Sequence, residues 1–570
     1  MTRNARITYW WSLVAIMVPN VALCFTEHYT LLQNATNIIL PLGLVWLLMS
    51  LTRRVGVAVW SLFILIFLAA FQIVLLDLYG RSVIAVDMFL NVVTTNASEV
   101  GELLSGLLPV IALVVAIYLP PLIMASVAIV RGELISSSMQ ANCRRLSHLT
   151  LVMGIILLGL SMVSATPYRP LRQLYPLNAV YNLALAMERS HFQTGYPASA
   201  TGFSFHSEAV DPEPSVTMIV IGETSRASSW QLLGYHRPTT PLLSGRDDIV
   251  AFPLTLSQSN TTHKSVPLML SHLDARSFGD SIFNVKSIIS AFKETGARTA
   301  FISNQERNGA MIDCFGEEAD LCVFLADSLP HSRTDLDLLP IVEKVIEADP
   351  GDRNMLIVVH TYGSHYEYDD RYPESMARFT PAGPLEADPD CREMLINAYD
   401  NSITLTDKVL DSLITILEKH NSKASLIYTS DHGEDIYDDS RSLFLHASPI
   451  PTYEQLHVPL IMWMSHSFRA AYPQRYLAAV ANSHRPVASS ASIFPTAMQL
   501  SGLHSPCVDP TLSLVSNSYT PVDYMYLDDH NEAVSPSMAG FDRYDIARID
   551  SLYTSQMLPG VIQPIVSRRK

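Results

Sequence analysis

The sequence predicts a membrane domain of five transmembrane helices, followed by an α/β domain with a central, mostly parallel sheet. Two observations lead to this prediction. Residues 1–165 contain long apolar runs and no lysine, whereas the rest of the chain is strongly acidic. From residue 215, runs rich in β-branched residues alternate with segments of helical periodicity, which is typical of parallel strands joined by crossover helices.

Five apolar runs in the first part come close to the roughly 20 residues that a helix needs to cross a bilayer. They cover residues 9–25, 37–51, 56–78, 107–130 and 146–165. The second run is the shortest. Residues 150–165 could instead form a core helix, although Arg144 and Arg145 suit the flank of a span. The first run lacks the cleavage site of a removed signal peptide.

The arginines predict the orientation of these spans. Residues 1–165 carry a net charge near +2, and the remainder carries near −18. With a cytoplasmic N-terminus, seven of the eight arginines of this part fall on the cytoplasmic side, and only Arg81 falls outside. Five crossings then put the acidic remainder on the far side of the membrane. Its negative balance argues against nucleic acid as a partner.

The chain after the membrane begins with a segment, residues 166–214, that we predict to be a juxtamembrane connector. The helical spacing at 177–187 fits a helix on the membrane surface or an ordinary packing helix.

Cys314 and Cys322 lie in one loop-like stretch and could form a disulfide in an oxidising compartment. Cys391 and Cys507 have no local partner, so a buried thiol and a long-range bridge are both open for them.

Several predicted strands end in polar residues of the kinds that bind ligands. Strands are predicted at 215–221, 298–303, 354–360, 425–429 and 459–464, and helices at 287–295, 336–347 and 395–419. The first four of these strands lead to Glu223, to Asn304, to His365, and to Asp431 with His432. Parallel strands bring their carboxyl ends to one edge of the sheet, so we expect a shared site there.

The residues at these strand ends fit a zinc site with a nucleophile. Asp431 and His432 offer a carboxylate oxygen and an imidazole nitrogen, although a capping Asp and a surface His would look the same. Glu223 is a further ligand or a helix N-terminal charge. Thr262 is a helix cap, or a nucleophile that a metal or base activates.

Two histidines complete this candidate constellation. His365 and His446 each follow an apolar run and lie in a loop. Each could bind a second metal, hold a substrate phosphate, protonate a leaving group, or be structural.

Five motifs, taken in order, resemble the bacterial phosphoethanolamine transferases that modify lipid A and lipopolysaccharide core. They are Gly222-Glu223-Thr224-Ser225-Arg226-Ala227, Thr262-x-x-Ser265-Val266-Pro267, Gly363-Ser364-His365 with Arg371-Tyr372-Pro373, Ile396-Asn397-Ala398-Tyr399-Asp400-Asn401, and Ser430-Asp431-His432-Gly433-Glu434. The resemblance covers residues 1–515. It implies an alkaline-phosphatase/sulfatase-like catalytic domain at 215–515, and it leaves 516–570 as an extension of unknown role.

The resemblance also implies an activity and a location. The donor would be phosphatidylethanolamine, the intermediate a phosphoethanolamine-threonine, and the acceptor lipid A, lipopolysaccharide core or another envelope glycan. The protein would be a multi-pass protein of the bacterial inner membrane with a periplasmic catalytic domain. It would bind one zinc ion tightly, and a second ion is left open.

Residue roles follow from the same resemblance. Zinc ligands would be Glu223, Thr262, Asp431 and His432, with Thr262 as the nucleophile, and His365 and His446 would bind the donor phosphate, a second zinc, or both. Candidate substrate-binding residues are Asn304, Arg307 and Asn308, the last of which replaces a lysine found in many members. Of the family's disulfides, only Cys314–Cys322 is retained.

Three alternatives stand beside this interpretation. A phosphoglycerol transferase would share the nucleophile and the metal. A sulfatase would need an arginine that Ser265-Val266-Pro267-Leu268-Met269 lacks. A catalytically inactive lipid-binding or sensory module would have no need of Glu223, Thr262, Asp431 and His432 together.

Overall fold

The computed structural model describes residues 3–94, 107–211, 213–327, 334–383, 387–420 and 423–554. The chain divides into two compact units, and the division between Glu188 and Arg189 lies inside the segment predicted as a connector. The first unit therefore includes residues beyond 165, and the predicted domain boundaries stay a prediction.

The first unit is helical. Its helices are α1 (Arg3–Thr26), α2 (Leu31–Ser50), α3 (Val55–Ser61), α4 (Phe63–Tyr79), α5 (Val86–Thr94), α6 (Leu108–Val130), α7 (Ser137–Met162), α8 (Pro170–Gln173) and α9 (Leu177–Ser199), the last of which continues into the second unit. Among the described residues, four helices are long and apolar enough to cross a membrane, and α3 with α4, bent by 58°, makes a fifth if the pair is one span. The predicted helical membrane domain is confirmed, with four or five spans.

Two glycines let α2 and α7 pack closely. A Cβ atom on Gly43 would lie 2.5 Å from the backbone nitrogen of Leu151, and one on Gly154 would lie 2.5 Å from Cα of Leu40. Lipid offers no hydrophobic drive for helix association, so membrane helices rely on such close backbone contact at small residues.

The second unit is built on a seven-stranded sheet in the order β3-β11-β8-β2-β7-β5-β6. The strands of the unit are β1 (Glu208–Ala209), β2 (Val216–Gly222), β3 (Ile249–Ala251), β4 (Thr255–Leu256), β5 (Arg298–Ser303), β6 (Leu321–Phe324), β7 (Met355–His360), β8 (Ala424–Ser430), β9 (Asp435–Ile436), β10 (Phe444–Leu445), β11 (Leu460–Met464), β12 (Val487–Ala488), β13 (Leu503–His504), β14 (Tyr526–Leu527) and β15 (Ala533–Val534). Strands β8, β2, β7, β5 and β6 run parallel, and β11 is antiparallel to both of its neighbours. The predicted mostly parallel sheet is confirmed.

Helices cover both faces of this sheet. The helices of the unit are α10 (Pro241–Ser244), α11 (Thr262–Leu270), α12 (Ile288–Glu294), α13 (Met311–Gly316), α14 (Leu339–Glu347), α15 (Arg392–Lys419), α16 (Tyr453–Leu456), α17 (His466–Ala471), α18 (Pro473–Asn482), α19 (Ser489–Leu500) and α20 (Arg543–Thr554). In β2, Ile219 and Ile221 belong to one hydrophobic core and Met218 and Val220 to another. This alternation explains why the strand is apolar on both faces.

Two features of the second unit differ from the sequence-based expectation. Thr262 is the first residue of helix α11 and not its cap, because backbone N–H groups of Lys264 and Ser265 donate to the carbonyl of Thr261. The described part of the C-terminal extension, residues 516–554, is integrated into the unit through β14, β15 and α20, which share a hydrophobic cluster with Leu256.

Candidate metal centre and nucleophile

Strand register brings the polar strand ends together. In the parallel pairing of β2 with β8, Gly222 lies opposite Ser430, so Glu223 and Asp431 leave the sheet side by side. A Cβ atom on Gly222 would lie 2.5 Å from the hydroxyl oxygen of Tyr428, so only glycine fits at this position. The candidate site therefore lies where open α/β sheets bind their ligands.

Glu223, Asp431 and His432 form a buried group whose ligand atoms all lie within 4.8 Å of one another. Nε2 of His432 is 3.2 Å from Oδ2 of Asp431 and 3.4 Å from Oε1 of Glu223. Nδ1 of His432 is 2.9 Å from the carbonyl oxygen of Gly433. A carbonyl can only accept, so Nδ1 carries the proton and Nε2 presents its lone pair to the carboxylates.

Thr262 points its hydroxyl at this group. Its Oγ1 lies 3.2 Å from each carboxylate oxygen of Glu223 and 3.1 Å from Nε2 of His432. Thr262 is also the first residue of α11, whose positive dipole end favours negative charge on a nearby phosphoryl group.

Two neighbours orient the carboxylates. Thr224, with φ of 61°, donates its backbone N–H to Asp431 Oδ1 at 3.1 Å and its hydroxyl to Glu223 Oε1 at 2.8 Å. Gln305 donates from Nε2 to Glu223 Oε2 at 2.9 Å. Sequence reasoning assigned no role to either residue, although Gln305 follows the same type of strand end as the predicted ligands.

The buried group fits a zinc ion. Burial, and then the charge of Asp431, raise the pKa of Glu223 to about 7, and burial raises the pKa of Asp431 to about 6. Asp431 Oδ2 is buried and accepts no hydrogen bond from any described residue. Two buried carboxylates and an imidazole lone pair are stable together when a cation neutralises them, and this donor set suits Zn²⁺.

His365 and His446 form a second group with Glu223, again with ligand atoms within 4.8 Å. Both histidines are only partly buried. The ring of His446 lies 4.2 Å from that of His432 and 5.8 Å from that of His365, between centroids. Burial, and then His432, lower the pKa of His446 well below its ordinary value, so this ring is neutral. His365 donates from Nδ1 to the carbonyl of Tyr366 at 2.8 Å.

The predicted substrate-binding residues Asn304, Arg307 and Asn308 make contacts outside both groups. Asn304 donates to the buried carboxylate of Asp335 at 2.7 Å, and Asp335 accepts the backbone N–H groups of residues 362 and 363 that precede His365. Arg307 pairs with Glu317 and Asp327, and the backbone N–H of Asn308 donates to Asp313. Their roles at the substrate stay predictions.

The predicted disulfide is not formed in the structure. Cys314 lies on α13 and Cys322 on β6, and both are partly buried thiols, while Cys391 and Cys507 are also partly buried. The bridge therefore stays a prediction.

The fold and the site define an α/β protein with a candidate metal centre at the strand ends. The chain belongs to the Sulfatase family, whose model matches residues 215–503. It is 29% identical to phosphoethanolamine transferase EptA of Escherichia coli K12 over 299 residues, which are 51% of this chain and 54% of that one. The alignment thus spans about half of the length of that relative.

Two solved structures share the fold. Phosphoethanolamine transferase A of Neisseria meningitidis, an integral membrane protein, matches with a TM-score of 0.72 at 21% identity, over 89% of this chain and 98% of that one. The periplasmic domain of E. coli EptC, in complex with Zn, matches with a TM-score of 0.52 at 24% identity, over 58% of this chain and 95% of that one. The predicted fold class and the resemblance to phosphoethanolamine transferases are confirmed.

Proposed function

We propose that the protein is a membrane-bound, zinc-dependent transferase that moves phosphoethanolamine from phosphatidylethanolamine to lipopolysaccharide or another envelope glycan. The observation that carries this proposal is the Thr262 hydroxyl, which lies within hydrogen-bonding distance of both Glu223 and His432. The names of the similar EptA and EptC proteins support the choice of transferred group. The arginine pattern supports an N-terminus in the cytoplasm and a periplasmic site.

Glu223, Asp431 and His432 would hold the zinc ion next to Thr262. When bound, zinc lowers the pKa of an adjacent hydroxyl and offsets charge on phosphoryl oxygens. The EptC domain, solved in complex with Zn, supports this metal.

The proposed reaction has two halves: transfer of the phosphoethanolamine group to Thr262, and then its transfer to the acceptor. Thr262 loses its hydroxyl proton to solvent while Oγ1 bonds to phosphorus. The bond from phosphorus to the diacylglycerol oxygen breaks, and His365 protonates that oxygen. In the second half, an acceptor oxygen attacks phosphorus and its proton returns to His365. The bond to Thr262 breaks, and Thr262 recovers a proton from solvent.

The remaining groups bind and orient the donor. Neutral His446 serves as a hydrogen-bond donor to a phosphoryl oxygen, or as a ligand for a second ion with Glu223 and His365. The dipole of α11 adds favourable potential for the same oxygens. The apolar helices hold the enzyme in the membrane that contains both lipid substrates, which raises their effective concentration.

Mass spectrometry of the purified chain tests this function. Incubation with phosphatidylethanolamine should add roughly 123 Da at Thr262, the mass of a phosphoethanolamine group. Thr262→Ala should abolish the adduct, and Thr262→Ser should keep it. Thr261→Ala is the matched control, because this neighbouring hydroxyl pairs with Ser259 instead of the metal group. An adduct that persists in Thr262→Ala would refute the nucleophile, and a glycerol-phosphate adduct would favour a phosphoglycerol transferase.

A further inference from the structure

The C-terminal segment beyond the family match lies along the loop that carries the nucleophile. We call residues 524–528 the C-terminal clamp and residues 257–264 the nucleophile loop. Hydrogen bonds join them: Tyr524 Oη to Ser257 O at 2.6 Å, Leu527 N to Gln258 O at 2.8 Å, Gln258 Nε2 to Met525 O at 3.0 Å, Tyr526 Oη to Asn260 Oδ1 at 2.7 Å, and Lys264 Nζ to Asp528 O at 2.7 Å. The clamp thus contacts the loop on both sides of Thr262.

Asn260 connects the clamp to the histidine side of the site. Its side chain is 2% exposed and accepts the hydroxyl hydrogen of Tyr526. Its amide donates to Ser448 O at 2.9 Å and to Gln455 Oε1 at 2.7 Å, and its backbone carbonyl accepts the N–H of Ala447 at 3.2 Å. Residues 447 and 448 directly follow His446, so one buried amide joins the nucleophile loop, the His446 loop and the clamp.

A second link runs from the clamp toward the metal ligands. Tyr524 donates to the backbone carbonyl of Ser257, and the hydroxyl of Ser257 donates to the backbone carbonyl of Asp431 at 2.6 Å. Residues 257–262 are all polar, so hydrogen bonds and not apolar packing set the loop's conformation.

We propose that the C-terminal clamp is a positioning element of the transfer reaction, in which Tyr526 acts through Asn260 to hold Thr262 and His446 at their mutual distance. The proposal rests on the proposed function. Tyr526 contacts neither zinc ligand nor substrate in this scheme. Its loss should therefore lower turnover, because a nucleophile displaced by about 1 Å can cost about 100-fold in rate. It should leave zinc content and donor affinity unchanged.

Tyr526→Phe tests the proposal, with Tyr519→Phe as the matched control. Tyr519 also belongs to the C-terminal extension and is buried, and its hydroxyl donates to Pro486 O at 2.7 Å, the same length as the Tyr526 bond. The assay uses the full-length, zinc-loaded chain in detergent and phosphatidylethanolamine with a fluorescent acyl chain, and it follows release of labelled diacylglycerol. We expect Tyr526→Phe to lower kcat about 10- to 100-fold, with KM, bound zinc and melting temperature equal to those of the control.

A second variant, Asn260→Asp, tests the same link in case Tyr526→Phe fails to fold. Asn260→Asp keeps an oxygen for Tyr526 but removes the amide donors to Ser448 and Gln455, so it should give the same loss of kcat. Equal kcat for Tyr526→Phe and the control would overturn the proposal. So would a loss that parallels loss of zinc or of melting temperature, or misfolding of both variants. If wild type and Tyr519→Phe both release no diacylglycerol, the proposed function itself fails, and the inference fails with it.

Discussion

Glu223 belongs to two groups of side chains that differ in burial. Asp431 and His432 on one side are fully buried, whereas His365 and His446 on the other are partly exposed. Hydrogen bonds of 3.1 and 2.9 Å orient the side chains of Asp431 and His432, whereas Nδ1 of His446 is 3.5 Å from its carboxylate neighbour Glu434. We infer from this difference that the buried group, Glu223 with Asp431 and His432, keeps its metal ion through the reaction and is the resident-ion group. The partly exposed group, Glu223 with His365 and His446, is the open group, at which substrate binds and leaves.

Asp431→Asn should have the largest effect, because it removes a buried charge from the resident-ion group while keeping the side-chain shape. We expect loss of bound zinc and a fall in kcat/KM of about 10³-fold, since metal catalysis contributes several kcal/mol. Metal analysis measures the bound zinc, and the rate of diacylglycerol release gives kcat/KM.

The matched control for that change is Asp435→Asn. Asp435 is also buried, but its oxygens accept from Thr452 and Gln455. It should keep its zinc. Zinc bound equally by wild type and Asp431→Asn would remove the distinction between the two groups.

His365→Ala tests the open group. We expect zinc in the buried group to stay, and turnover of phosphatidylethanolamine to fall about 10²-fold, as is usual for a lost general acid. A nitrophenol leaving group departs without being protonated, so the turnover of a donor that carries it should fall far less in His365→Ala. His446→Ala should slow both donors alike, because its neutral ring binds the phosphoryl group. Equal losses on both donors in His365→Ala would contradict the proton-transfer role.

The sequence predicted most of this site because the ligands follow buried strands. Ser215–Ile221 and Ser425–Thr429 are recognisable by their apolar residues, and parallel pairing then brings Glu223 next to Asp431. The short edge strands β3 and β6 were missed, because three or four partly exposed residues carry little periodicity.

Contacts made by long-range packing could not be predicted. Gln305 reaches Glu223 only because β5 lies next to β7, which lies next to β2. Tyr526 meets Asn260 through the packing of the C-terminal extension onto the unit. No local pattern encodes either contact, and the resemblance to known transferases ended before Tyr526.

Gln305→Leu should have a smaller effect than loss of a ligand. The change removes the hydrogen bond to Glu223 Oε2 but leaves the carboxylate in place. Losing such an outer contact weakens metal binding about 10-fold or more. Competition with a zinc chelator measures the affinity. Gln231→Leu, a partly buried glutamine outside both groups, is the control, and equal affinities for the two variants would show that Gln305 does not orient the ligand.

The smallest predicted effect is on the pH dependence of thermal stability. Burial raises the pKa of Glu223 to about 7, above its ordinary value of 4.5. A raised carboxyl pKa stabilises the metal-free fold below pH 4.5, and this contribution is lost as pH rises through 7. Zinc binds the ionised carboxylate, so the metal-loaded fold does not lose stability in this way.

The melting-temperature difference between zinc-loaded and metal-free protein should therefore widen from pH 6 to pH 8. Asp435, whose pKa burial also raises to about 7, affects both forms equally and cancels in that difference. Glu223→Gln should reduce the widening to the smaller part that Asp431 contributes, because the pKa of Asp431 is raised only to about 6. A constant difference across this range in wild type would mean that the metal does not bind at the buried carboxylates, and the contrast between the two groups would no longer rest on a resident ion.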